Sequence, residues 1–280
     1  MTSNSSRVWL ITGTSTGFGR ALAEAVLASG DRLIATARKL EAIADLEQHF
    51  SGQVKVVPLD VTDAEQAKAA VKAATETFGR LDVAVNNAGY GLLGAIEELS
   101  DEDIRAQFET NVFGLLNVTR AALPYFRQQK SGHFINFSSV GGQVGTPGFG
   151  IYAATKFAVE GLSESLSKEV APLGIKVTII EPGAFRTDWA GRSMIAAEPI
   201  DDYATSVGKI RQIVANLNGT QPGDPKLAAR AIIRIVETEN PPLRLPLGAD
   251  SLASIRRKLE SQQAELNLWE SIAVSTAFQE

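Results

Sequence analysis

Short apolar runs alternate with longer stretches of helical period along most of the chain. Val8 to Thr12, Arg32 to Ala37 and Val54 to Pro58 read as strands; Gly19 to Leu27 and Glu41 to Phe50, with apolar residues on one helical face, read as the helices between them. The rhythm continues through helix Ala64 to Phe78, strand Leu81 to Asn86, helix Glu102 to Gln129, strand His133 to Ser138, helix Tyr152 to Val170 and strand Lys176 to Glu181. Strands joined by helices of this length pair in parallel through right-handed crossovers, so the pattern predicts an α/β doubly wound parallel sheet of about seven strands. Val8-Trp-Leu-Ile11 and Val83-Ala-Val85 are continuous apolar runs, as expected of strands covered on both faces.

After Pro182 the alternation breaks. Gly183 to Pro225 is long and irregular yet holds Phe185, Trp189, Met194 and Ile195. Two readings stand: a substrate lid, or a pair of surface helices whose period is hidden. Helices resume at Lys226 to Glu237 and Ala249 to Trp269, with a short strand near Leu243 to Leu245. No repeat or linker divides the chain, so residues 7–280 are expected to form one domain behind a loose polar tail at 1–6.

Composition narrows the possibilities without choosing among them. The chain has 280 residues, 44% hydrophobic and 21% charged, an ordinary globular balance. A net charge of -5 gives no reason to expect nucleic acid or an anionic membrane as partner. The absence of cysteine removes disulfides, thiolate metal sites and a cysteine nucleophile together. The polar start lacks the features of a signal peptide, and no apolar run is long enough to span a bilayer. A cytoplasmic protein without membrane insertion is expected.

The first strand runs into Thr12-Gly-Thr-Ser-Thr-Gly-Phe-Gly19, which opens the first helix. Gly13, Gly17 and Gly19 allow a tight turn and close ligand approach, while the helix N-terminus offers free N–H groups to a phosphate. Thr14 and Ser15 are candidates for hydroxyl contacts, and Phe18 lies within the same turn. The second strand ends at Arg38, where a carboxylate would suit the ribose hydroxyls of NAD and an arginine suits the 2′-phosphate of NADP. Further on, Tyr152 and Lys156 stand four apart on one helical face. An ammonium beside a phenol favours the phenolate and points to proton transfer at an alcohol or carbonyl oxygen.

Taken in order, Thr12-Gly-xxx-Gly-x-Gly19, Asp60-Val61, Asn86-Asn-Ala-Gly89, Asn111, Ser139, Tyr152-xxx-Lys156 and Pro182-Gly183 with Thr187 resemble the classical short-chain dehydrogenase/reductase family over nearly the whole chain. The resemblance implies a Rossmann-type fold and an oxidoreductase. It implies that Ser139, thirteen residues before Tyr152, hydrogen-bonds the substrate oxygen, with Ser138 a structural neighbour. Tyr152 would be general acid in reduction and general base in oxidation; Lys156 would lower its pKa and bind the nicotinamide ribose, and Asn111 would hold a water on the proton path. For the cofactor, it places Asp60 and Val61 at the adenine, Asn87, Ala88 and Gly89 along the ribose, and Pro182, Gly183 and Thr187 by the carboxamide.

Plainer roles stay open for several of these residues. Asp60 with Asp63 suits a helix cap, and Asn86 to Gly89 suits a bare strand-to-helix turn. His49 and His133 lack partners at ligand spacing and read as structural; no metal is expected. Arg256-Arg-Lys258 reads as a solvated helix face. Tyr90 to Leu93, Val144 to Phe149 and Phe185 to Ile195 are mainly apolar and point to a hydrophobic ketone or aldehyde and its alcohol as substrate. The expected cofactor is NADP(H), with NAD(H) as the alternative; a homodimer or homotetramer through the helices at 102–129 and 152–170 fits the resemblance. A nucleotide-sugar epimerase or dehydratase lacks its pocket elements here. A non-catalytic dinucleotide sensor would have lost some of Asn111, Ser139, Tyr152 and Lys156.

Overall fold

The first strand, β1 (Val8–Ile11), is buried throughout, and its residues divide between two apolar clusters: Trp9 and Ile11 on one face, Val8 and Leu10 on the other. Such two-sided burial is what its unbroken apolar run requires. In the computed structural model, which describes residues 6–278, β1 is joined by β2 (Arg32–Ala37), β3 (Val54–Pro58) and β4 (Val83–Asn86). A short β5 (Gly91–Leu93) lies apart, and β6 (Gly132–Phe137), β7 (Ile175–Pro182), a second short strand β8 (Met194–Ala196) and β9 (Arg244–Leu247) follow. The main sheet has seven strands in the order β3-β2-β1-β4-β6-β7-β9, every pairing parallel. The expected doubly wound parallel sheet is therefore the observed one. Residues 1–5 of the expected polar tail lie outside the described range.

Helices cover both faces. On the Trp9 face pack α1 (Gly17–Ala28), α2 (Ala44–His49) and, further along the chain, a helix over Pro225–Glu237 through Ala228, Ala229 and Ile232. On the Val8 face pack α3 (Ala64–Phe78), α5 (Gly114–Gln129), which follows a short α4 (Asp101–Phe108), and α6 (Gly150–Val170). Asp63 caps α3 by accepting from the Glu65 and Gln66 N–H groups. Asp60 accepts from the backbone and hydroxyl of Thr62, a turn one step upstream. The strand order reverses between β1 and β4, which opens a crevice at their carboxyl ends.

The helix expected over 102–129 is interrupted by a π turn at Glu109–Phe113. Its centre, Asn111, satisfies the backbone of Tyr90 on both sides, donating to the carbonyl at 3.0 Å and accepting from the N–H at 3.1 Å. The widened turn is the local cost of bringing that amide inward.

The segment after Pro182 is more regular than its sequence. It holds a short 3₁₀ turn at 188–190, β8 pairing with β5, and α7 (Lys209–Leu217) preceded by a π turn at 204–208. One helix stands where a pair was an open possibility. The helix over Pro225–Glu237 is α8, and α9 (Ala249–Val274) runs beyond its expected end at Trp269. Among the described residues, no helix is long and apolar enough to cross a membrane.

Candidate active site

The glycine turn after β1 is held from the neighbouring strand. Thr12 Oγ1 accepts from the N–H groups of Asn87 and Ala88, both at 2.9 Å, and Asn87 Nδ2 donates back to the carbonyls of Thr12 at 2.8 Å and Gly13 at 3.1 Å. Gly13 has φ +70°, left-handed backbone that favours glycine. At Gly19 the constraint is space: a Cβ there would lie 2.2 Å from the Gly13 carbonyl oxygen. Ser15, Gly17 and Phe18 face the crevice with Gly13, whereas Gly19 lies beneath the turn.

Thr14 departs from expectation. It is fully buried and donates its hydroxyl to the Thr36 carbonyl at 3.1 Å, so it fastens the turn to β2 and has no hydroxyl left for a ligand. Arg38 follows β2 as expected, exposed at the crevice rim, and no carboxylate among the described residues pairs with it. Asp60, Val61, Asn87, Ala88, Gly89, Pro182, Gly183 and Thr187 line the same crevice, which has a volume of about 820 Å³.

At its inner end stand Ser139, Tyr152 and Lys156. Tyr152 is only 8% exposed, and burial pushes its phenol up to about 12, with the Ser139 hydroxyl pulling the other way. Lys156 is also buried and is brought down to about 8, chiefly by loss of hydration. Its ammonium donates to the Phe137 carbonyl at 2.8 Å and lies 5.8 Å from the centre of the Tyr152 ring. Desolvation dominates at the phenol, and the Lys156 ammonium is directed at the Phe137 carbonyl. Asn111 sits behind Gly89 rather than in the crevice, with its amide also donating to Thr155 Oγ1 at 3.1 Å. Ser138 is buried, donates its hydroxyl to the Lys156 carbonyl at 3.5 Å and lines the crevice beside Ser139.

Several lining residues carry no motif. Trp189 lies over the site, its ring centre 5.3 Å from that of Tyr152 and 5.7 Å from that of Phe149. Asp250, in the first turn of α9, accepts from the Ala184 N–H at 2.7 Å and fastens the turn after Pro182. Behind the Ser139 loop, Gln143 donates to buried Glu181 at 2.8 Å, while Arg244 binds Glu160 at 2.9 Å and Glu164 at 2.7 Å. Burial and the nearby Glu160 hold the Glu181 carboxyl well above the usual range. Both histidines are structural: His49 bonds the Asp45 carbonyl, and buried His133 bonds Thr178 Oγ1 at 2.9 Å.

A cradle that admits no side chain at Gly19, opening into a crevice at the strand-order reversal, defines a Rossmann-type nucleotide-binding protein. Residues 7–196 match the family model for short chain dehydrogenase, and the chain belongs to that family of oxidoreductases. It is 42% identical over 273 residues to oxidoreductase BOA17 of Botryotinia fuckeliana, covering 97% of this chain and 99% of that one. To the 3-ketodihydrosphingosine reductase of Bacteroides thetaiotaomicron it is 39% identical, over 86% and 88%. A short-chain dehydrogenase from Streptomyces avermitilis superposes with a TM-score of 0.92 at 46% identity, covering 98% and 100%. Two more distant structures at 26% identity hold cofactors. One, from Burkholderia phymatum, is in complex with NAD (TM-score 0.82, covering 93% and 95%), and ElxO has NADP bound (TM-score 0.73, covering 89% and 99%).

Proposed function

We propose that this chain is an NADP(H)-dependent oxidoreductase that interconverts a hydrophobic ketone or aldehyde and its alcohol, with Tyr152 exchanging the proton on the reacting oxygen. The observation that carries this is one continuous crevice joining the glycine turn to a buried phenol with the Ser139 hydroxyl beside it. A bound nicotinamide supplies or accepts the hydride. Gly13, Ser15, Gly17 and the N-terminus of α1 would hold its phosphates, Asp60 and Val61 the adenine, Asn87 to Gly89 with Lys156 the riboses, and Pro182, Gly183 and Thr187 the carboxamide end.

The chain's own residues account for the proton. A phenol whose pKa is raised by burial keeps its proton at neutral pH, so Tyr152 enters reduction as a neutral proton donor, and Ser139 hydrogen-bonds the oxygen on which negative charge develops. In oxidation the phenol must first lose its proton, which requires the Lys156 ammonium to turn from the Phe137 carbonyl toward it. Because the Asn111 amide is already committed, a water relaying protons there would meet its main chain.

Val144, Phe149, Trp189, Ile195 and Leu217 make the substrate end apolar, with 183–225 acting as a lid. A relative named for 3-ketodihydrosphingosine supports a carbonyl substrate. Arg38 supports NADP(H) over NAD(H) through the 2′-phosphate. We place the protein in the cytoplasm as a single-domain homodimer or homotetramer. Tyr152→Phe tests the mechanism: ketone reduction should fall by about 10²–10⁴-fold, the scale of a lost general acid, with NADPH affinity kept within a few-fold. Undiminished turnover would exclude this role for Tyr152.

A further inference from the structure

We propose that α9 is the contact between two copies of this chain, packed antiparallel side by side. This gives the homo-oligomer named above a second contact surface, besides the helices at 102–129 and 152–170 that the resemblance implies, and it does not depend on the enzymatic reading.

Only the start of α9 rests on the body. Ser251 is buried and Ser254, Ile255 and Lys258 are half-buried, but from Leu259 to Phe278 every residue is exposed. A lone helix of this kind is marginal in water, so its outer half needs a partner to stay formed. The side chains it presents are wrong for solvent: Leu259, Leu266 and Trp269 are 57%, 67% and 57% exposed.

These residues belong to one stripe. Leu252, Ile255, Leu259, Gln262, Leu266, Trp269 and Ala273 follow one another at alternating steps of three and four, the spacing of a two-helix seam. The flanking charges fix the direction. Antiparallel packing about the point between Glu260 and Ser261 makes layers of Leu252 on the partner's Trp269, Ile255 on the partner's Leu266 and Leu259 on the partner's Gln262. In that register Lys258 meets the partner's Glu265, and symmetry repeats the pair. A parallel arrangement would instead set Glu265 beside the partner's Glu270, carboxylate against carboxylate. The face is thus complementary to itself in one orientation, as a two-fold interface requires.

A lipid surface fits less well. Beyond Lys258 the helix has no lysine or arginine, only Glu260, Glu265 and Glu270, which an anionic bilayer repels.

The full-length protein should sediment at micromolar concentration as a dimer or a multiple of one. Leu266→Asp with Trp269→Asp should halve that mass without changing NADPH binding. Lys258→Glu should weaken the dimer at least about fivefold, the scale of two flanking ion pairs made repulsive, and adding Glu265→Lys should restore it. The chain has no cysteine, so a Leu252→Cys preparation mixed with a Trp269→Cys preparation should give a mixed disulfide, whereas neither alone should crosslink. A monomeric wild type would overturn both this proposal and the homo-oligomer. An oligomer indifferent to the aspartates, or crosslinking of either cysteine variant with itself, would overturn the assignment to α9 alone.

Discussion

The indole of Trp189 lies against Tyr152 on one side and the backbone of Gly91 on the other. A Cβ on Gly91 would come within 2.6 Å of Trp189 Cζ2, so the absence of a side chain on β5 is what lets the lid reach the phenol. Gly91→Ala should therefore displace Trp189 and act like Trp189→Ala. Both should lower kcat/KM for a hydrophobic ketone by up to about tenfold, the worth of one aromatic contact, with NADPH affinity little changed. Steady-state kinetics of the two variants side by side check this; a silent Gly91→Ala would mean the lid does not act through that contact.

Asn87 ties the glycine turn to β4 with its two side-chain bonds to Thr12 and Gly13. Asn87→Ala leaves those carbonyls unpaired at the turn that receives the phosphates. It should cost about 1–3 kcal/mol in cofactor binding, seen as a raised Kd for NADPH and NADH alike by fluorescence titration. A loss for only one of them would be at odds with a role in holding the turn.

Arg38 is expected to discriminate between the same two ligands. Exposed at the rim and paired with no carboxylate among the described residues, it has a guanidinium available for a 2′-phosphate. Arg38→Ala should weaken NADPH binding by about 1.5–3 kcal/mol and leave NADH nearly unaffected. Equal losses for both would count against NADP(H) as the preferred cofactor.

Much of this architecture was legible in the chain because its strands are covered on both faces. Val8 to Ile11 and Val83 to Val85 announce burial by being unbroken, and the helices between them carry clear apolar faces. The glycine turn and the Tyr152–Lys156 pair could be seen for a similar reason, since their geometry is set within one local element. What stayed hidden depends on approach from a distance. Trp189 and Asp250 reach the crevice from a short turn and from the start of α9, and nothing in their neighbours' sequence marks where they land. Thr14 has the turn position of a ligand contact, but the carbonyl that claims its hydroxyl belongs to Thr36, on another strand. At Tyr152 the spacing reveals the ammonium but not the burial of the phenol, which depends on chain far from the helix.

His133 offers a measure of that same burial, far from the chemistry. It lies inside β6 with Nε2 on Thr178 Oγ1, and desolvation, helped by the nearby Lys176 cation, lowers its pKa from 6.5 to about 3. A base whose folded pKa is depressed is neutral in the native state and charged in the unfolded one between those two values. The unfolded chain then binds the extra proton, so this residue's contribution to stability is complete above pH 6.5 and is lost as the pH falls toward 3. Glu181, whose pKa is raised, works in the opposite sense, so the effect of His133 has to be isolated by comparison. His133→Asn removes the titration while keeping a polar partner for Thr178. The stability gap between wild type and this variant should shift by several kcal/mol in the variant's favour between about pH 6.5 and pH 4, read from urea midpoints at each pH. A gap independent of pH would show that the imidazole titrates alike in the folded and unfolded chain.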